Sequence, residues 1–247
     1  MLHEKELHQL RKNAKIHVEV FHEAKKLLIE WNSADDVDQV VAAICKKYWV
    51  LSGFHWFHWY PSYCCINVND IVVHGIPRKE IIFKNGDLVT FDFWVKDKIY
   101  WVNTDAAFSL VIWWDDKNIT AASMIKANKK ALYAGIKMCR AGNTVWDVGS
   151  VIQAEIEDAG FHIIRDLTGH GLWKTLHEKP YMYNYGKPWT GERLKKWMLL
   201  AIEPIIWETS GKIRDSWDWE IYVKDGSLGC QYEHTILITD GDPEIIV

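Results

Sequence analysis

The sequence has no apolar run approaching the roughly 18 residues that span a bilayer. Its first residues, MLHEKELHQLRKN, hold no apolar stretch followed by a small-residue cleavage site, so a secretory leader is not expected. CxxC spacing is absent. The five cysteines (Cys45, Cys64, Cys65, Cys139 and Cys230) are odd in number and scattered, which reads as free thiols in a reducing compartment, the cytoplasm. The chain lacks a GxSxG elbow, a GxGxxG turn and a P-loop, which removes the usual serine-hydrolase, dinucleotide and nucleoside-triphosphate signatures. An excess of one charge is lacking too. With 29 basic and 33 acidic residues the net charge is −4, so there is no electrostatic case for nucleic acid or an anionic membrane. What remains, 49% hydrophobic and 25% charged, suits a globular protein with a sizeable core.

Residues 4–30 place Leu7, Leu10, Ala14, Val18, Phe21, Ala24 and Leu28 at helical spacing. A second helix is expected after Ser33, with Asp36 three positions on as a capping box. From 63 to 115 the pattern turns to short β-rich runs (CCINV, DIVV, DLVTFDFWV, AAFSLVIW). The order then repeats: helices over 119–140 and 144–159, the latter stopped by Gly160, then the strand-like HIIR, LLAIEPII, EIYV and HTILIT. Two helices then strands, twice over, predicts an α+β fold of two similar halves, about 1–118 and 119–247. No Ser/Gly/Pro-rich linker marks their junction, so they are read as one domain.

Asp92 interrupts a strongly apolar strand, VTFDFWV, and a buried carboxylate needs a partner or a cation. Asp105 follows in TDAAF, Glu203 in LLAIEPII and Glu233 in QYEHTILIT, each in apolar β-like surroundings. His170 lies between glycines in TGHGL, where backbone can come close to a ligand. Four buried acids and one histidine describe an oxygen-rich metal site, because so many carboxylates repel one another unless cations neutralise them. His74 (VVHGIP) and His177 (LHEKP) stand near this set as proton donors or oxyanion partners. Histidines 3, 8, 17, 22, 55 and 162 lack acidic companions at suggestive spacing and read as structural, while His58 and His234 stay unassigned by spacing alone.

Taken in order, FHWYP, CINVND-IVVHGIP, GDLVTFDF, TDAAF, TGHGL-KTLHEKP, LLAIEPII and KDGSLGCQYEHTILIT resemble the type I methionine aminopeptidases, in their short bacterial form, over nearly the whole chain. The resemblance implies the pita-bread fold, two αβ halves about a pseudo-twofold axis. It implies two divalent metal ions (Co, Mn, Fe or Zn) on Asp92, Asp105, His170, Glu203 and Glu233. His74 and His177 are then expected at the scissile amide, with Glu203 as proton shuttle. Phe57, His58, Cys65, Leu176 and Trp219 match the family's methionine pocket, with His74 and His177 also touching substrate. The implied substrates are N-termini of nascent polypeptides at the ribosome with a small second residue, and the implied state is a monomer. Two further readings stand beside it: a metal-free peptide-binding member of the fold, and a proline-directed peptidase.

Two departures from the family pattern stand out. Asp105 follows Asp92 by thirteen positions where the family has eleven, with Asn103 at eleven; an insertion of two keeps each strand residue on its face. Tryptophan is the second. It occurs 15 times, as often as glycine, and Trp56, Trp59, Trp94, Trp146, Trp173, Trp189, Trp197, Trp207 and Trp217 fall where family members commonly have glycine. Trp219 stands where the family has tryptophan. The excess reads as UGA codons that the source organism translates as glycine.

Overall fold

Helix α1, Glu4–Leu27, begins where the His3 amide donates to the Glu6 carboxylate and buries Leu10, Ala14, Val20 and Ala24. It stops three residues short of the predicted end, the Leu28 amide closing on Ala24 before the chain turns. Val18, expected on the apolar stripe, is 59% exposed; Ile16 and His17 face inward in its place. Helix α2, Ala34–Tyr48, starts with the predicted capping box: Ser33 Oγ accepts the Asp36 amide, and the Asp36 carboxylate accepts the Ser33 amide. The structure is a computed structural model that describes residues 3–55, 57–113, 115–209, 212–216 and 218–247, so Trp56 and Trp217 lie outside the described residues.

The first half continues through β1 (Leu51–Ser52), β2 (Cys65–Val68), β3 (Ile71–Val73), β4 (Leu88–Lys96) and β5 (Asn103–Val111). The second opens on α3 (Ile119–Met138) and α4 (Val145–Asp158), capped by Asn118 and Thr144. Its strands are β6 (His162–Ile163), β7 (Gly169–Gly171), β8 (Glu178–Met182), β9 (Leu199–Ile202), β10 (Ile205–Trp207), β11 (Ile213–Asp215), β12 (Ile221–Val223), β13 (Gly229–Gln231), β14 (His234–Leu237) and β15 (Glu244–Ile245). The helix–helix–strand order therefore occurs twice.

β4 is the spine of the first half. It pairs antiparallel with β1, β2 and β5, and all but its last residue are buried. The second half is built on the sheet β15-β14-β9-β7-β8, with β13-β10-β6 beside it. A further three-stranded sheet, β11-β12-β3, joins strands of both halves. One apolar cluster packs α1 and α2 on β4 through Val20, Val37, Phe91 and Phe93. Another packs α3 and α4 on the second sheet through Met124, Leu132, Ile152 and Leu200. The halves meet where Ala107 of β5 and Glu233 exchange backbone hydrogen bonds of 3.3 and 3.0 Å. All five cysteines are buried and unpaired. Among the described residues no helix is long and apolar enough to cross a membrane.

The backbone holds tryptophan where it does not belong. Among the described residues, ten non-glycine residues have φ in the left-handed region, and seven of them are tryptophan: Trp31, Trp49, Trp59, Trp101, Trp113, Trp189 and Trp197. At about 1–2 kcal/mol per residue, seven such positions amount to roughly 7–14 kcal/mol, comparable with the ~5–15 kcal/mol that holds a whole domain folded.

Candidate metal centre

Five strand segments converge on one point. Asp92 sits mid-β4 opposite Cys65, and Asp105 sits in β5 opposite Trp94. In that register Asp92 and Asp105 share a face as diagonal neighbours, two steps apart along the ladder. Asn103 lies on the same face two further steps away, opposite Lys96. There it accepts from Trp94 Nε1 at 2.8 Å and donates to the Trp173 carbonyl at 2.6 Å, away from the acids. His170 is the middle residue of β7, Glu203 follows β9 directly, and Glu233 precedes β14. Exposure is 8% or less at all five.

Ligand atoms of Asp105, His170 and Glu233 lie within 4.8 Å of one another. His170 Nε2 is 3.5 Å from Glu203 Oε1 and 4.0 Å from Asp105 Oδ2. Its Nδ1 meets the Gly171 carbonyl at 3.1 Å, which fixes the proton there and turns Nε2 toward the acids as a lone-pair donor. Thr235 secures Asp105 from behind, accepting its amide and donating to its carbonyl. Gln231 Nε2 donates to both Glu203, at 3.1 Å, and Glu233, at 3.3 Å.

The electrostatics define what this arrangement suits. Burial pushes the Asp92 carboxyl up to about 7. Burial, then the charges of the neighbouring acids, push Asp105, Glu203 and Glu233 well above the usual carboxylate range. Burial holds His170 down at about 3, so its imidazole is neutral and cannot balance the acids. Asp92 Oδ1, Asp105 Oδ1 and Glu233 Oε1 are buried with no hydrogen-bond partner. Hard oxygen donors that burial and mutual repulsion drive toward protonation unless a cation offsets them, plus one free imidazole nitrogen, fit divalent cations.

These residues form the floor of a cavity of about 200 Å³. Phe54, Phe57, Tyr60, Leu176 and Trp219 supply apolar walls, and His74 and His177 stand at its side. His177 sets its ring edge-on to His170 at 4.5 Å between centroids. Burial lowers both flanking imidazoles, His74 to about 4. His74 also holds a left-handed φ of +60, strain of a kind that collects at working sites.

Of the residues matched to a methionine pocket, Phe57, His74, Leu176, His177 and Trp219 line the cavity and two do not. His58 is exposed, turned out by its own left-handed backbone onto the edge of Phe57. Cys65 is wholly buried one layer behind, packed with Phe54 and Tyr60. Phe54, Tyr60, Val73 and Gln231 line the cavity without having been singled out from sequence. Gln231 could have been found, because it lies two residues before Glu233 and so on the same strand face.

Known proteins share this chain's sequence pattern and fold. The profile of metallopeptidase family M24 matches residues 8–240. A methionine aminopeptidase from Clostridium acetobutylicum is 32% identical over 242 residues, covering 98% of this chain and 95% of that protein. The crystal structure of a methionine aminopeptidase from Thermotoga maritima superposes with a TM-score of 0.94 at 35% identity, over 99% of this chain and 97% of that one. A prolidase from Pyrococcus horikoshii, 20% identical with a TM-score of 0.76 over 99% of this chain and 62% of that one, shares the fold alone. The α+β architecture is the pita-bread fold, as the resemblance implied. The chain belongs to metallopeptidase family M24, among its methionine aminopeptidases.

Proposed function

We propose that this metal-dependent aminopeptidase removes N-terminal methionine from polypeptides with a small second residue, holding two divalent ions on Asp92, Asp105, His170, Glu203 and Glu233. One observation carries the reading: four buried carboxylates and a neutral imidazole floor a cavity with apolar walls. Co, Mn, Fe and Zn all suit an oxygen-rich site with one imidazole. Bound there, the ions would supply Lewis acidity at the scissile carbonyl and offset the charge of the floor.

The chain's own groups do the rest. Phe57, Leu176 and Trp219 receive the methionine side chain, with Cys65 closing the wall from behind and His58 bordering it from outside. His74 and His177, kept neutral by burial, hydrogen-bond the scissile amide and stabilise the charge that develops on it. Glu203, one oxygen held by Gln231, takes a proton from the attacking water and passes it to the leaving nitrogen. The substrates on this reading are nascent chains at the ribosome in the cytoplasm. The protein acts as a monomer, and its halves, 1–118 and 119–247, form one domain with the site at their junction.

The test uses protein stripped by a chelator and presented with Met-Ala-Ser and Met-Leu-Ser. Methionine release from the first alone, and only after metal is restored, is the expected result. Binding without release at every metal supplied would make the protein a peptide-binding module. Preferential cleavage of X-Pro dipeptides would make it a proline-directed peptidase.

A further inference from the structure

The seven left-handed tryptophans share more than their backbone. All are solvent-exposed: Trp31 78%, Trp49 63%, Trp59 81%, Trp101 50%, Trp113 57%, Trp189 86% and Trp197 36%. A strained conformation persists when packing over-determines it, and here the indoles lie outside the packing. Their side-chain contacts are surface ones, such as Lys98 over Trp49 at 4.9 Å and Lys196 over Trp197 at 4.9 Å.

At four of these positions the backbone, by contrast, is committed. Trp49 is the residue that ends α2, its amide bonded back to the Cys45 and Lys46 carbonyls, a helix terminus that takes glycine because a left-handed residue is needed there. The Trp31 amide reaches the Phe83 carbonyl, Trp197 the Ile238 carbonyl, and Trp189 the Asp147 carboxylate. Each of these four positions is fixed by main-chain hydrogen bonds and left unfilled by side-chain chemistry, the opposite of what selects tryptophan.

Trp94, Trp207 and Trp219 differ from these seven in backbone and burial. Trp94 is 3% exposed and Trp207 8%, both with ordinary backbone. Gly53 packs so closely on the Trp94 ring that an added Cβ would fall 1.6 Å from it. Trp219 lines the cavity. Among the described residues left-handed glycines number six, so there tryptophan occupies this region of backbone space more often than the one residue suited to it.

We propose that Trp31, Trp49, Trp59, Trp101, Trp113, Trp189 and Trp197 are glycine in the protein as its source organism makes it, the codon being UGA read there as glycine. The assignment rests on backbone dihedrals and exposure, and it stands whether or not the proposed activity does. It adds Trp31, Trp49, Trp101 and Trp113 to the positions that family comparison marks, and it makes no claim on Trp94, Trp146, Trp173 or Trp207, whose backbone lies outside the left-handed region.

The coding sequence tests it directly. UGA at all seven positions and UGG at Trp219 is the expected result, and a UGG at any of the seven overturns it. A second measurement needs no gene. The chain as written and a variant with all seven Trp→Gly changes are compared in urea, beside a control carrying Trp207→Gly and Trp219→Gly. The sevenfold variant should unfold at a higher urea concentration than the chain as written, or fold where that chain does not, and the control should unfold at a lower one. A sevenfold variant that is no more stable than the chain as written, or two forms that both fail to fold, counts against the proposal.

Discussion

Taking one carboxylate out of the floor separates Asp105 from its neighbour in sequence, Asn103. Asp105 brings an unpartnered buried oxygen to within reach of His170 and Glu233, while Asn103 spends its amide on Trp94 and Trp173. Asp105→Asn should therefore lower metal content and turnover together, by about a hundredfold or more, as loss of a ligand exceeds the ~10–100-fold cost of losing a supporting group. Asn103→Ala should keep its metal. Metal analysis that found the reverse pattern would move the ligand to Asn103. His17 offers a prediction away from the site. Wholly buried between Phe21 and Phe93, it is held down to about 3 by burial. A lowered histidine pKa means that the unfolded chain alone takes up the proton between the usual 6.5 and about 3. The stability His17 contributes is complete above that window and declines through it as pH falls, by up to ~1.4 kcal/mol per pH unit. Denaturant melts at stepped pH should show a shallower acid decline for His17→Gln than for the parent.

Among the elements, the connection between β4 and β5 has the most to do. Within it the Tyr100 carbonyl accepts from Lys174 Nζ at 2.6 Å, while Lys96 Nζ reaches the Lys174 carbonyl and Asn103 the Trp173 carbonyl. Lys174 also pairs with the buried Glu6 of α1. The segment between His170 and His177 is thus pinned at its middle by a hairpin and a helix. Lys174→Ala should leave metal content unchanged and cut kcat/KM by roughly tenfold to a hundredfold through a displaced His177. An unchanged kcat/KM would show that the pin does not position the loop. This hairpin also marks the limit of what the sequence discloses. The face shared by Asp92 and Asp105 is legible, because alternation survives an insertion of two. The lysine contacts are not, because nothing in a charged turn says which distant carbonyl it will meet. Helices α2 to α4 are legible through their period and caps. Strands of two or three residues, such as β6 and β13, are too short to carry a period at all.

For the whole molecule, the repeated helix–helix–strand order predicts the fold, and the acids embedded in apolar strands predict the floor of the site. Phe54 and Tyr60 stay hidden until the halves are brought together, since an aromatic residue in a loop is ordinary anywhere. Their roles arise from closure. Closure itself runs through the backbone: Ala107 and Glu233 exchange hydrogen bonds across the junction, so a site residue from the second half is joined to β5, which carries one from the first. An ion bound there therefore acts as a rivet, present in the folded chain and without a seat in the unfolded one. Mass action then makes the melting curve a binding isotherm. At a hundredfold excess of metal over its Kd the folded state should gain about 2.7 kcal/mol, with a further ~1.4 for each additional decade. Calorimetry across a metal titration should trace that rise, and Glu233→Gln should flatten it.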